Sequence, residues 1–556
     1  MENKDLEAEI HPLKNEECKA IEGPAKCAEK EGGASRKSGR LSRWRTAAFF
    51  LSLFLCLLVV FAFSFIIPCP VRPISQRTWH RTYDNAATYT FLAVADVDKD
   101  RVQDVLFAFK AAAAGELNSS SGVNSSCSDA GFATPCAFVA AHSGTNGSTL
   151  WQRPVAKDLL WMDCSAEQED SPACLLIGKP DFLAALDLET GQTLWQRAAN
   201  FGANSTVLSP LLKVPDVSGD GVPDLLVFAA VGEEIKSCFH SGKDGTQIGF
   251  SGSFRVPGRT GHLLQVTPAG AHYVLFRTAK ALYGYSLDEI YQAALNSSAR
   301  GQPGLKRDPR WELAVDRATH QVSLPSSGDI HYLTKMPAKL GTNLLVARSS
   351  VLELVDGQHL GSVWVADIPH IMSEPVLGAY SADAVDVITE SRVSASKKKV
   401  MIVESRSGDI KWQVELSQGA WTPRPASLAT TDHRSAFLFW GTYEGDTNGT
   451  ASEEGALQPH LYLFHPSLPN VLLDMSSSTE PIAAFEGVLF ERSRHACYVL
   501  LTGPRVGSAP GSIVLSKRKL KEDVVGSRVI WLSSLAPDTE QHVRERFLRM
   551  RYRSLR

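Results

Sequence analysis

Several chemistries are missing from this 556-residue chain. Its ten cysteines contain no C-x-x-C, which removes the spacing that zinc sites and thioredoxin-like dithiols need. The histidines, among them His80, His142, His240, His262, His272, His320, His331 and His495, show no H-x-x-x-H and no paired carboxylate. They read as ordinary surface or core residues. G-x-S-x-G is absent and no glycine-rich loop opens onto a helix, so nucleophilic catalysis has no motif to stand on. Neither sign of charge dominates: 57 Lys and Arg face 60 Asp and Glu, a net charge of −3. Such a balance leaves no basic footprint for nucleic acid.

What the chain does have is one long apolar run. Residues 46–67, TAAFFLSLFLCLLVVFAFSFII, carry no charge over 22 positions. At ~1.5 Å per helical residue this length matches a ~30 Å hydrocarbon core, and Pro68 and Pro70 then stop the helix. Arg36, Lys37, Arg40, Arg43 and Arg45 crowd the N-terminal flank. The positive-inside rule therefore puts residues 1–45 in the cytosol and the C-terminal part outside or in the lumen. A cleaved signal peptide would need a shorter apolar core near the N-terminus and an A-x-A-like site. The run is instead expected to be a signal anchor, giving a type II protein at the cell surface or on internal secretory membranes. Residues 1–45 hold 10 Lys/Arg against 9 Asp/Glu and few large apolar side chains, the composition of a disordered tail. Ser35, Ser38 and Ser42 sit among its arginines as candidate phosphorylation sites. Residues 68–84 read as a juxtamembrane linker.

Cysteine and asparagine usage agree with that topology. Seven cysteines follow the run. Setting aside Cys69 at its edge leaves six that can form three disulfides in an oxidising compartment. Local spacing favours Cys127–Cys136 and Cys164–Cys174, which leaves Cys238 with Cys497 as a long-range pair. Six N-x-[ST] sequons follow the run as well: Asn118, Asn124, Asn146, Asn204, Asn296 and Asn448. Such sites are glycosylated only on the lumenal side.

The rest of the chain repeats. A short apolar strand behind a small or polar residue occurs eight times: Asp104-VLFAF, Cys174-LLIG, Asp224-LLVF, Tyr273-VLF, Asn343-LLVA, Asp386-VIT, Ala436-FLFW and Cys497-YVLL. The average spacing is about 56 residues. Strong copies are followed by a strand, a glycine turn and a strand often bearing Trp, as in HSGTNGSTLW (142–151), LDLETGQTLW (186–195) and ESRSGDIKW (404–412). Glycine supplies positive φ at such turns, and Trp fills the space between packed sheets. Two hairpins per repeat predict an all-β β-propeller over residues 85–536. Eight copies predict eight blades, or seven if a degenerate copy (the fourth, seventh or eighth) forms none. Unrelated β-sandwiches would not repeat one strand–hairpin–Trp order. Polar insertions at 111–136 and 444–456 read as surface loops. Residues 537–556, rich in arginine, read as a basic C-terminal tail.

Two copies of the first strand are preceded by an acidic loop. Asp96, Asp98, Asp100 and Asp104 form one; Asp216, Ser218, Asp220 and Asp224 form the other. Oxygen side chains at positions 1, 3, 5 and 9, with the carbonyl of Val102 or Val222 at position 7, suit calcium, which takes 6–8 oxygens at ~2.3–2.6 Å. An EF-hand would need Glu at position 12 and a following helix, but Phe107 and Val227 stand there inside apolar runs. Arg101 takes a place suited to glycine, so the second loop, with Gly219 and Gly221, is expected to bind the more tightly. Around Asp386 the ligand positions are lost to Gly378, Tyr380 and Ala382.

D-x-[DS]-x-D-x-x-x-D leading into a strand resembles the calcium loop of integrin-alpha FG-GAP repeats. The whole layout of tail, anchor and propeller is similar to the FG-GAP repeat-containing type II membrane proteins. That resemblance implies a glycosylated membrane-surface propeller without assigned chemistry. The turn–Trp segment ALDLETGQTLW (185–195) also resembles quinoprotein propellers, many of which carry two adjacent cysteines that this chain lacks. The expectation is a non-catalytic module that binds another membrane or extracellular protein, with structural calcium and no nucleic acid. The alternative is a calcium-dependent propeller enzyme, redox or hydrolytic.

Overall fold

The computed structural model describes residues 43–66, 78–112, 126–164, 173–179, 182–198, 205–232, 234–258, 261–295, 305–382, 384–419, 423–444, 458–490, 496–533 and 538–554. The tail 1–42, most of the linker, and the sequon asparagines Asn118, Asn124, Asn204, Asn296 and Asn448 lie outside the described residues. The chain divides into two units, Met1–Arg72 and Pro73–Arg556.

The first unit holds one helix, Arg43–Ile66. Its residues 47–61 are all exposed, as expected of a stretch that is apolar on every side. Among the described residues no helix is long and apolar enough to cross a membrane.

The described residues of the second unit form seven antiparallel sheets. Five are four-stranded meanders, spanning residues 158–198, 206–255, 261–322, 330–367 and 376–417. A sixth runs from 426 to 477 and takes Arg528–Trp531 as a fifth strand. The seventh contains seven strands because one of them, Trp79–Ala95, serves two neighbours. Its residues 79–83 pair with 513–517 near the C-terminus, and residues 86–95 pair with Asp104–Ala111. Register breaks at Tyr83/Ala86 and Thr88/Leu92 let the strand turn from one partner to the other. The first strands of consecutive sheets lie side by side in several places, and Trp79–Ala95 lies beside both Ile482–Val488 and Asp158–Asp163. This is a propeller-like all-β fold closed by pairing between the two ends of the unit.

The core lies between sheets. Ile388, Val400 and Trp412 of one sheet, for example, pack with Phe437, Phe439 and Phe464 of the next. The turn–Trp repeat has a geometric reason. Trp151 lies under the next sheet's turn at Gly191 and donates its indole N–H to Leu188 O at 2.9 Å. A Cβ on Gly191 would come within 2.4 Å of that ring. Trp195 under Gly245 and Trp364 under Gly408 repeat the contact, and Trp364 donates to Ser405 O at 2.7 Å. Each Trp thus seats the following hairpin, whose glycine sits at φ +66° to +80° in these three turns.

Three expectations are corrected. Residues 79–84 are not linker: they form the strand that closes the fold. Residues 537–556 are not a free tail. Glu540–Arg549 is a helix whose Val543 and Phe547, one helical turn apart, are buried together with Tyr552 against the 426–477 sheet. Finally, Cys238 and Cys497 do not bond to each other. Both are buried, in strands of two different sheets, Glu234–His240 and Cys497–Thr502. There they pack as small apolar side chains, and the Cys238 thiol contacts Ser251 Oγ at 3.0 Å. Cys127–Cys136 and Cys164–Cys174 are the two disulfides among the described residues.

Candidate calcium loops

Both acidic loops join the first strand of a sheet to its second. Their ninth residues, Asp104 and Asp224, are fully buried. Asp104 Oδ2 accepts the N–H groups of Val97 and Asp98 at 2.8 and 3.4 Å, and Oδ1 accepts Gly144 N–H from the next hairpin at 2.8 Å. Asp224 repeats this with Val217 and Ser218, both at 2.7 Å, and with Gly242 at 3.4 Å. Asp386, in the copy that lost its other acids, is buried too and accepts from Tyr380, Ser381 and Ser405. Position 9 is therefore a backbone clamp joining loop, strand and hairpin, and it persists where no cation site remains.

The structure brings Asp96, Asp98 and Asp104 together, with one oxygen of each within 4.8 Å of the others, and does the same for Asp216, Asp220 and Asp224. Asp100 is engaged elsewhere: Oδ1 accepts Val102 N–H at 2.7 Å and Oδ2 accepts the Thr145 hydroxyl at 3.3 Å. Ser218 Oγ donates to Asp216 at 3.1 Å. Asp220 accepts the Ser241 hydroxyl at 2.7 Å. The hydroxyls of Thr145 and Ser241 were not singled out from the sequence. The signal for Ser241 was H-S-G-x-x-G, which follows both loops as HSGTNG (142–147) and HSGKDG (240–245); Thr145 stands at its variable fourth position. Its histidine ties the turn, since Nδ1 of His142 and His240 lies 3.2 and 3.1 Å from the carbonyls of Gly147 and Gly245.

The loops differ in how well their charges are met. In the second, Asp216 accepts N–H groups from Gly219, Asp220 and Gly221 at 2.6, 3.2 and 2.8 Å. The Gly221 N–H does most to hold Asp216 below the usual carboxylate range, and the Ser241 hydroxyl does most for Asp220. In the first loop burial pushes Asp96 and Asp98 up, and Asp104 to about 7. Burial also raises Asp224. Asp96 Oδ1 is buried with no hydrogen-bond partner. Backbone conformation is the same in both loops: Lys99 and Arg101 take φ 60° and 70° where Gly219 and Gly221 take 80° and 85°. The two side chains accept a left-handed conformation costing about 1 kcal/mol or more each. All-oxygen donor sets of this kind fit a hard divalent cation, calcium before magnesium.

Of the sequons only Asn146 is among the described residues; it is exposed on a turn, and its side chain accepts Ser148 N–H at 2.8 Å.

A family model, the FAM234A/B beta-propeller, matches residues 79–553. The chain belongs to that family. Its first strand, which begins before the expected propeller limits, and its last helix, which lies beyond them, both fall within the match. The chain is 45% identical to Protein FAM234A of Homo sapiens over 562 residues, covering all of both chains. It is 30% identical to Protein FAM234B of Gallus gallus over 508 residues, covering 88% of this chain and 79% of the other. Among solved structures it is similar to BamB from Moraxella catarrhalis, at 11% identity and TM-score 0.41, covering 78% of this chain and 97% of that one. So distant a likeness carries no functional argument.

Proposed function

We propose that this FAM234A/B chain is a single-pass type II membrane glycoprotein presenting a non-catalytic β-propeller to another membrane or extracellular protein. The observation that carries the reading is the pair of disulfides, Cys127–Cys136 and Cys164–Cys174, in the unit that follows the apolar run. Disulfides persist in oxidising compartments. The run itself is 22 residues without charge, about 33 Å of helix. The seven-stranded sheet reads as two four-stranded blades sharing Trp79–Ala95, which gives eight blades. Endoglycosidase treatment is expected to lower the apparent mass of the full-length protein. Replacing Asn118, Asn124, Asn146, Asn204, Asn296 and Asn448 together should abolish the shift. A wild-type protein that does not shift in normally glycosylating cells would place the propeller on the cytosolic side.

Calcium enters this reading as a structural ion held by Asp96, Asp98 and Asp104, and by Asp216, Asp220 and Asp224. It would neutralise carboxylates that otherwise repel. The first loop gains more from a cation, because Asp96 Oδ1 lacks a donor while Asp216 already has several. We therefore rank the first loop above the second, opposite to the order expected from glycine content. Extracellular calcium modules have Kd of ~10⁻⁴–10⁻³ M, so ~10 mM calcium would add roughly 1.4–2.7 kcal/mol per site. Thermal unfolding of the purified protein should show a melting temperature several degrees higher with calcium than with chelator. Asp98→Ala should remove more of that response than Asp220→Ala. An unchanged wild-type melting temperature on chelation would make both loops ordinary acidic turns.

A further inference from the structure

A second charged cluster lies at the opposite end of the same strands. In each sheet the end of the second strand lies beside the start of the first. Lys110 pairs with Ala87, and Lys179 pairs with Asp158. The acidic loop is at the other end, between Ala95 and Asp104, about 25 Å away along the strand. At the starting ends of three consecutive sheets there is a cavity of about 690 Å³, lined by Lys110, Lys157, Lys179, Asp158, Thr206 and their neighbours. That volume is in the range of small-molecule sites.

The charges in it do not cancel. Three ammoniums face one carboxylate. Asp158 Oδ1 is engaged by the Tyr89 hydroxyl at 2.5 Å and by Leu159 N–H at 3.1 Å. The lysines stand farther off: Lys110 Nζ is 3.6 Å and Lys179 Nζ 3.9 Å from Asp158. Charge-assisted bonds between ammonium and carboxylate close to about 2.7–2.9 Å, so neither lysine is held tightly. Lys157 has no ion pair among the described residues and is exposed. Two positive charges are left over at the mouth of a cavity whose wall also offers the Thr206 side chain. Like charges gathered in a concave, low-dielectric site raise the local concentration of the opposite ion.

We propose that this cavity is a binding site for a small anion carrying at least two negative charges, bound through its sulfate, carboxylate or phosphate oxygens. Lys110, Lys157 and Lys179 supply the charge, and the Asp158 carboxylate competes with the ligand for Lys110 and Lys179. The site is independent of the calcium loops.

The test uses the full-length protein in neutral detergent and two probes, a heparin-derived sulfated tetrasaccharide and inorganic pyrophosphate, followed by titration calorimetry. At least one probe is expected to bind, more weakly as salt is raised from 50 to 300 mM, since exposed charges are screened. The probe that binds more tightly identifies the source of the anion. Replacing all three lysines with glutamine should weaken binding at least tenfold. If that variant fails to fold, Lys157→Gln with Lys179→Gln, both at exposed positions, should weaken it at least threefold. Asp158→Asn keeps an oxygen for Tyr89 and removes the competing charge, so it should tighten binding by threefold or more. A purely structural role for these residues does not produce a gain. No binding of either probe, binding unaffected by the lysine substitutions, or weaker binding in Asp158→Asn would overturn the proposal.

Discussion

Replacing Lys398 with methionine is expected to destabilise the propeller by about 3–5 kcal/mol, the cost of leaving a buried charge without its partner. Lys398 Nζ lies 2.6 Å from Glu390 Oε1, and both side chains are essentially inaccessible, at 0% and 2%. The two occupy neighbouring strands, Asp386–Arg392 and Lys397–Val403, where Lys398 pairs with Arg392 and Glu390 with Val400. They are therefore diagonal neighbours, close enough for long side chains to meet. Glu390 Oε2 accepts only a weak bond from the Ser373 hydroxyl at 3.3 Å. Methionine keeps the volume and removes the charge, so the Glu390 carboxylate must remain ionised in a dry site or take up a proton. Pairing the change with Glu390→Leu should recover most of the loss, because apolar replacement of a whole buried pair is close to neutral. Lys411→Met breaks a 2.8 Å pair with Glu404 that is open to water and should move the unfolding midpoint little. Urea unfolding at constant m-value measures all three. A Lys398→Met variant within about 1 kcal/mol of wild type would mean that water reaches the pair.

What was legible in the sequence was local. The turn–Trp repeat could be read because each Trp and glycine recur at short, fixed distances, and the packing of Trp151 on Gly191 is the reason for that spacing. Cys127–Cys136 and Cys164–Cys174 close loops with separations of nine and ten residues, so proximity along the chain favoured them. Cys238 with Cys497 was an inference by remainder, and no physical force draws together two small apolar side chains in separate sheets. The ends failed for a similar reason. Tyr83 pairs with Ile513 across more than four hundred residues, and nothing near Trp79 in sequence announces its partner. The arginines of the last helix drew attention to charge, although Arg544 and Arg549 pair outward with Glu540 and Glu545 while Val543 and Phe547 face the sheet. At the acidic loops the spacing was informative about the cluster. It did not reveal that position 9 serves the backbone first, because Gly144 and Gly242 come from another hairpin.

Acidification from pH 7 to pH 5 is expected to cost the propeller about 4 kcal/mol. Burial pushes three histidines, His142, His262 and His465, down to about 4, against about 6.5 in an unfolded chain. A group whose folded value is depressed contributes its stability in full above the unfolded value and loses it as pH falls toward the folded one. The window is therefore pH 6.5 to 4. The local geometry agrees with neutral rings. His262 Nε2 lies 2.7 Å from Pro210 O, so that nitrogen carries the hydrogen, and Nδ1 is buried without a partner. A proton on Nδ1 would have no acceptor. His142 lies between the Tyr83 hydroxyl at 2.6 Å and Gly147 O, with the cation of Arg81 nearby. Around His465 the cations of Arg434 and Arg546 oppose protonation and Asp432, 3.7 Å away, favours it. Each histidine loses roughly 2 kcal/mol by pH 5. Asp104 acts the other way: burial raises it to about 7, so its cost to stability is present at neutral pH and is relieved on acidification, by roughly 2 kcal/mol at pH 5. These four groups alone leave about 4 kcal/mol, a large part of an ordinary stability of ~5–15 kcal/mol; burial of His240 adds to the loss, and burial of Asp96, Asp98 and Asp224 offsets it. Urea unfolding of the purified protein in chelator at the two pH values measures it, with Asp104 free to titrate. His262→Gln retains an N–H for Pro210 and cannot take up a proton, so it should lose about 2 kcal/mol rather than 4. Equal wild-type midpoints at pH 7 and pH 5, or a His262→Gln variant as acid-sensitive as wild type, would show that the buried histidines do not set the acid limit of this fold.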